Sequence, residues 1–404
     1  MKKYISLIMI SIFIVLTVGY YYVITNNISK KYPEFTFEKI SGNEEAIKDL
    51  VITGEFHYNF FGYDSFRIDL EETKYFRDEP FVKKINRRYY KSIDIERLQK
   101  DYRNFMRTKD EYYGSYKETD DLLIYASLTL EPWEIDTEQF DIAILDKNTK
   151  ETTAFQIPIP NRNHYLFFDI KEIFVKDDKL FLITVNDIPT NEMDVELKEV
   201  HFYTFDVKEQ KLIDDEIIEQ FEYETIGHGN HHIGVLLDET KEDVLVFKTE
   251  VIYTEEPHSI NDTFTVDHLV KVDLKTNEIE EIKNEIDTGL PIALLDGKLI
   301  FTNIKENKLN LIAYDVEKKS TVHQLDVTKI STDFSLEELY EPVIWDGKFY
   351  FIPEIVNNQF ETTVSVVDIL NFEKEYEGKI NIEERAELRG ISYYFDQVEI
   401  RKFE

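Results

Sequence analysis

An all-β fold of repeated sheet units, set behind one N-terminal apolar segment, is what this sequence predicts, and three observations predict it. The chain has 404 residues, 42% of them apolar and 14% aromatic, which is too rich for disorder and ample for a large core. Beyond residue 35, short β-branched and aromatic runs dominate and helical periodicity is rare. The third observation is a two-part pattern that recurs along the chain in constant order.

The elements follow in order. Lys2 and Lys3 precede an uncharged run from Tyr4 to Val23, and twenty helical residues span about 30 Å, the thickness of a bilayer's hydrocarbon core. Two cations ahead of such a run stay in the cytoplasm, so the remainder is expected outside. Lys30 and Lys31 lie on the far side behind a polar spacer. A cleaved signal peptide is the rival reading, but its apolar core is shorter and ends in small residues. Here the end, Gly19 to Thr25, is bulky, and its tyrosines suit an interfacial belt. The expected organisation is a cytoplasmic tail at 1–3, a transmembrane signal anchor at 4–23 and a polar tether at 24–35. An extracytoplasmic body fills 36–404, so the expected place is the cell membrane, crossed once.

Charge and cysteine count exclude whole classes. With 81 acidic against 47 basic side chains the net charge is −34, which repels phosphate backbones and argues against nucleic acid as a partner. No cysteine is present, so disulfide scaffolds, thiolate nucleophiles, Fe–S clusters and zinc ribbons are out.

Each copy of the pattern has a turn residue ahead of large apolar residues, then, after a variable stretch, hydrophobic-Asp-hydrophobic. Asp296-Gly-Lys-Leu-Ile-Phe301 goes with Ala313-Tyr-Asp-Val-Glu-Lys318, and Asp346-Gly-Lys-Phe-Tyr-Phe351 with Val366-Val-Asp-Ile-Leu370. Earlier copies join the runs from Asp177, Asp243, Asp121 and Asp49 to Asp206, Asp273, Asp146 and Asp69. The six second-motif aspartates are spaced 77, 60, 67, 42 and 53 residues apart, room for a few strands and turns each, the size of a propeller blade. The Asp is expected to cap a tight turn after a third strand by accepting from backbone N–H groups. Lys298–Thr302 reads as an inner strand, apolar on both faces. The fold class is therefore all-β, a β-propeller of six or seven blades behind a single transmembrane helix. Seven is favoured, with Leu388–Phe403 joining Phe35–Ile40 in a composite closing blade that removes sheet edges.

On "DGKLIF…AYDVEKKS" and "DGKFYF…VVDILNFE" the chain resembles β-propeller repeat proteins, of the loose kind seen in exported bacterial kelch-like and quinoprotein-like propellers. The resemblance covers roughly 36–404 and is architectural. Kelch units carry paired glycines and none occurs here. Trp345-Asp346 is a WD dipeptide placed before a strand, where a WD repeat has it at the end.

Residues 77–117 are a basic insertion, with 12 Lys/Arg against 7 Asp/Glu. Lys83, Lys84, Arg87 and Arg88 cluster before Tyr89. Ile95, Leu98, Tyr102 and Phe105 then recur at helical spacing, with Arg97, Lys100, Arg103 and Arg107 interleaved. This predicts a short amphipathic helix. Its cations either meet an anionic partner (lipid headgroups, a phosphate-rich wall polymer, an acidic protein) or pair with the acidic body.

Thr225–Gly234 carries His228, His231 and His232, imidazoles suited to zinc or copper. A turn between blades explains them equally well. Acidic pairs such as Glu280-Glu281 lack the alternating ligand spacing of a calcium loop. No cofactor is predicted, and Zn or Ca are the ions these residues would take. Walker A, G-x-G-x-x-G and G-x-S-x-G motifs are absent. The expected role is a membrane-anchored binding or assembly module for another cell-envelope component. The alternatives are an exported polysaccharide hydrolase or lyase using propeller carboxylates, which meet in space rather than in sequence, and a ligand-binding sensor ectodomain.

Overall fold

The structure is a computed structural model. It describes residues 9–20, 32–58, 62–84, 90–109, 114–129, 138–176, 178–190, 195–224, 230–238, 244–253, 263–273, 278–282, 290–305, 308–329, 343–352, 362–382 and 391–402.

Residues 9–20 form a helix, α1, whose Met9, Phe13, Val15 and Leu16 are all more than 60% exposed. The Thr17 hydroxyl folds back onto the carbonyls of Phe13 and Ile14, so α1 offers no free polar side-chain donor there. No helix of the described residues is long and apolar enough to cross a membrane. The rest of the expected Tyr4–Val23 span lies outside them.

The body is an all-β propeller of antiparallel sheets. In chain order the strands are β1 (Phe35–Gly42), β2 (Leu50–Tyr58), β3 (Gly62–Ile68), β4 (Thr73–Tyr75), β5 (Ser115–Glu118), β6 (Leu122–Leu128), β7 (Gln139–Asp146) and β8 (Thr152–Pro158). Then come β9 (Phe167–Lys176), β10 (Lys179–Ile188), β11 (Val195–Asp206), β12 (Lys211–Glu224), β13 (Asn230–Leu237), β14 (Val244–Tyr253), β15 (Thr263–Asp273) and β16 (Glu278–Glu281). The chain continues through β17 (Leu290–Leu295), β18 (Lys298–Lys305), β19 (Lys308–Asp315), β20 (Ser320–Lys329), β21 (Val343–Trp345), β22 (Lys348–Phe351), β23 (Thr362–Asp368), β24 (Glu373–Ile382) and β25 (Ile391–Ile400).

Two compact units divide these strands, Met1–Glu96 with Leu325–Glu404, and Arg97–Gln324. The second unit holds meanders of four strands in simple order, β5 to β8, β9 to β12, β13 to β16 and β17 to β20. Ile124, Phe140, Leu180, Leu182, Tyr203 and Phe205 are fully buried in one of its cores. In the first unit β25 pairs with β2, in a four-stranded sheet with β3 and β4, while β1 pairs with β24 as the fifth strand beside β23, β22 and β21. Its core gathers Phe35, Ile52, Phe66, Val364, Tyr376 and Phe395.

The expected six or seven blades with a composite closing one are corrected to five blades of four strands, the remaining sheet having five strands. Phe35 pairs with Ile382, and Leu50 with Ile400, so the two terminal strands join different sheets and not each other. Lys298–Thr302 lies in β18, an interior strand paired with β17 and β19, and its Leu299, Ile300 and Phe301 are buried on both faces, as the sequence predicts.

The recurrent aspartates behave as the sequence predicts. One Oδ1 accepts two successive backbone N–H groups at Asp69, Asp146, Asp206, Asp315 and Asp368, at distances from 2.8 to 3.1 Å. The turn after Asp273 lies outside the described residues. Four residues beyond four of these aspartates the backbone is left-handed, at Lys150, Gln210, Lys319 and Phe372. The preceding hairpins turn at Asp296-Gly297 and Asp346-Gly347, where φ is 50°, 71°, 49° and 69°. That is the two-residue turn whose twist matches paired strands and favours Asp-Gly. The two tips of a sheet are tied together: Val316 N–H reaches the Gly297 carbonyl at 3.2 Å, Ile369 that of Gly347 at 2.9 Å, and Lys147 that of Asp121 at 2.7 Å. Sequence repeat and structural repeat are thus one motif, a double turn closing one end of the sheets whose tips are among the described residues.

Candidate functional site

The basic insertion folds as α2 (Phe81–Lys84), α3 (Ile93–Asp101) and α4 (Arg103–Met106). The single amphipathic helix expected through Phe105 is broken at Tyr102, whose φ of −121° and ψ of 44° are not helical. Leu98, Phe105 and Met106 are buried, as the apolar stripe predicts.

The eight cations have three fates. Lys83 pairs with Glu79 at 2.9 Å and Lys84 Nζ donates to the Arg77 carbonyl at 2.6 Å, both in the first unit. Arg97 is the anchor of the second unit's part. Its guanidinium binds Glu118, which also accepts from the Tyr102 hydroxyl at 3.3 Å and pairs with Lys147 at 3.0 Å. Burial alone would raise the Glu118 carboxyl, but the hydrogen bonds from Arg97 and Lys147 outweigh it and hold it below the usual range. Lys100, Arg103 and Arg107 are exposed and make no ion pair among the described residues. Arg87 and Arg88 lie outside those residues.

The expected histidine site falls largely outside them too. His228 is not described. His231 and His232 sit on β13 opposite Val251 and Glu250, with their side chains undescribed. Among the described residues no group of three or more His, Asp or Glu is placed to hold a metal.

Two buried clusters escaped the sequence reading. On β3, Asp64 is 5% exposed. Its Oδ1 accepts the Arg77 N–H at 3.3 Å, while Oδ2 accepts no hydrogen bond and has the Arg77 Nε at 3.6 Å. Burial pushes this carboxyl up to about 7, with the Arg77 amide pulling the other way and the charge of Asp78 adding to the rise.

The other cluster lies within the sheet of β9 to β12. Glu199, His201 and Tyr203 alternate along β11 onto one face. His201 Nδ1 is 2.7 Å from Asp215 Oδ1, and its Nε2 is 3.1 Å from Glu199 Oε2 and 2.9 Å from the Tyr165 hydroxyl. Tyr165 donates to Glu199 at 2.9 Å. Burial raises the Tyr165 phenol and its bond to Glu199 adds to this, so it stays a neutral donor. Thr184 and Asn186 on β10, both fully buried, extend the chain of bonds to the Tyr203 hydroxyl. Beside it, buried Arg162 binds Glu138 at 2.5 Å and the Tyr165 carbonyl at 2.6 Å, with its guanidinium over the Phe168 ring. The Glu-x-His-x-Tyr alternation at Glu199, His201 and Tyr203 was the readable signal. Tyr165 and Asp215 join it only in space.

No protein-family model matches this chain, and no curated protein matches it either. Among solved structures it is similar to the β-propeller domain of the Trilobed protease from Pyrococcus furiosus, at 12% identity and TM-score 0.33, over 83% of each chain. It is similar to the acylaminoacyl peptidase of Pyrococcus horikoshii at 14% identity and TM-score 0.35, over 86% of this chain and 46% of that one. A GH93 α-L-arabinofuranosidase of Fusarium graminearum gives 6% identity and TM-score 0.34, over 86% and 98%. The propeller assignment rests on the sheets described above.

Proposed function

We propose that this chain is a membrane-tethered, extracytoplasmic propeller that binds another component of the cell envelope, and that Lys100, Arg103 and Arg107 form its contact for an anionic partner. One observation carries the proposal. In a chain of net charge −34, neighbouring cations find carboxylates or carbonyls, yet these three stand in solvent without one among the described residues. Three exposed cations on so acidic a body leave a local positive patch that an anionic group outside the chain can meet. The exposed apolar helix α1 supports the membrane tether, because such a surface is stable in lipid and not in water. A propeller suits binding because its turns and connections converge on rigid ends.

The test is crosslinking in intact cells followed by affinity capture of the full chain and of the variant with Lys100, Arg103 and Arg107 changed to Gln. A reproducible partner that the variant loses supports the proposal. Equal capture by both removes the cations from the contact, and no capture by either removes the binding role.

A further inference from the structure

We propose that the connection from Asn161 to Phe167 is a second contact surface, one that takes a basic protein segment carrying an exposed apolar side chain; this rests on the binding-module reading. Leu166 and Phe167, 66% and 59% exposed, are the two most exposed large apolar side chains described in the second unit, and they are adjacent. Asn161, Asn163 and His164, just ahead of them in the chain, are exposed polar side chains. An apolar centre with a polar rim is the anatomy of a contact hot spot.

The connection is held rigid from beneath. His164 N–H bonds the Asn161 carbonyl at 2.7 Å, Tyr165 that of Arg162 at 3.1 Å, and Leu166 that of Asp187 at 2.8 Å. Below them Arg162 and Tyr165 plunge into the polar cluster of Glu138, Glu199, His201 and Asp215. Burying several ionisable groups is an inefficient way to stabilise a sheet, and apolar residues of like volume do at least as well. What such a cluster supplies is direction: each bond fixes where Tyr165 sits, and with it the two residues that follow. A tip already ordered loses less entropy on binding.

The partner's chemistry follows from charge. Nearby carboxylates are each matched, Asp169 by Lys171, Asp187 by Lys198 and Glu138 by Arg162, so the tip is no cation trap in itself. The field of a chain with net charge −34 then selects which apolar surface approaches, and it favours a basic one. This tip lies away from the cationic contact. Arg97 and Tyr102 meet Glu118 at one end of the sheet of β5 to β8, whereas Arg162 meets Glu138 at the other.

The test uses the full chain and three short labelled peptides: lysine with tryptophan, lysine with serine, and glutamate with tryptophan. The lysine–tryptophan peptide should bind at least about tenfold tighter than the lysine–serine one. Changing Leu166 and Phe167 to Ser should erase that difference while leaving lysine–serine binding unchanged. Tyr165→Phe, which keeps the ring and loses the links to Glu199 and His201, should speed exchange of the Leu166 amide and shrink the tryptophan advantage. No advantage for tryptophan, or one that survives the double serine variant, overturns the proposal. So does preferential, Phe167-dependent binding to phosphatidylcholine vesicles, which would give the tip to a bilayer. The Lys100, Arg103 and Arg107 variant should keep the tryptophan preference, so this surface and the cationic one fail separately.

Discussion

Glu118 and Asp64 are both carboxylates removed from water, one in each unit, and their proton affinities move in opposite directions. Glu118 sits among Arg97, Lys147 and Tyr102, and ends below the usual carboxylate range. Asp64 has one long bond from the Arg77 amide and a cation no nearer than 3.6 Å, and rises to about 7. Burial has the same sign in both, so the difference lies in the partners. Burial of a charge is thus not in itself stabilising or destabilising here. Its sign depends on whether the donors arrive in the same fold.

Breaking the favourable case has the largest expected effect. Glu118→Gln leaves Arg97 and Lys147 facing a neutral amide, and should lower the unfolding free energy at pH 7 by about 2–3 kcal/mol in a denaturant titration. Because the folded Glu118 is held below its ordinary value, its contribution is present above the unfolded pKa of about 4.5 and fades as pH falls through the folded one. The gap between wild type and variant should therefore close on acidification. A gap that stays constant to acid would mean that shape, not charge, does the holding.

Asp64→Asn should do the reverse. The folded carboxyl binds its proton more tightly than the unfolded one, so wild-type stability falls as pH rises from about 4 to about 7. The amide oxygen still accepts the Arg77 N–H, without that titration. The variant should be the more stable at pH 8, by about 2 kcal/mol more than at pH 5. Equal pH profiles for the two chains would show that Asp64 is not strained by burial.

Between these extremes stand the turn aspartates, each with one oxygen on two backbone amides; at Asp368 the other oxygen accepts from the Asn371 side chain at 2.7 Å. Asp368 accepts from Leu370 and Asn371 at 2.8 and 3.0 Å, so Asp368→Ala should cost about 1 kcal/mol. Asp368→Asn, which keeps an acceptor, should recover most of it.

Those turns also explain how much was legible. An Asp that caps its own turn acts within three residues, so the five described turns could be read directly from Asp69, Asp146, Asp206, Asp315 and Asp368. The first strands of the sheets, such as β9 and β17, follow no such tip and were missed. The pairing of β1 with β24 and of β25 with β2 joins residues hundreds apart with no local mark. The polar cluster under Tyr165 shows the same boundary. Glu199, His201 and Tyr203 announce themselves by alternation on one strand, whereas Asp215, Tyr165 and Arg162 arrive from elsewhere. The basic insertion was visible as composition, but which cations it satisfies internally depended on where Glu79 and Glu118 fall.

That division gives the smallest expected effect and the most informative one. Changing Lys100, Arg103 and Arg107 to Gln removes three positive charges from exposed positions that make no ion pair among the described residues, and exposed substitutions away from such contacts rarely move stability. The unfolding midpoint should stay where it is. Arg97→Gln, on the same insertion, should lower it, because Glu118 loses its principal donor. A fold indifferent to three cations that it could have neutralised is the pattern of residues kept for an external anion. If the triple variant instead unfolds as readily as Arg97→Gln, those cations hold the chain together, and the contact proposed for them is gone.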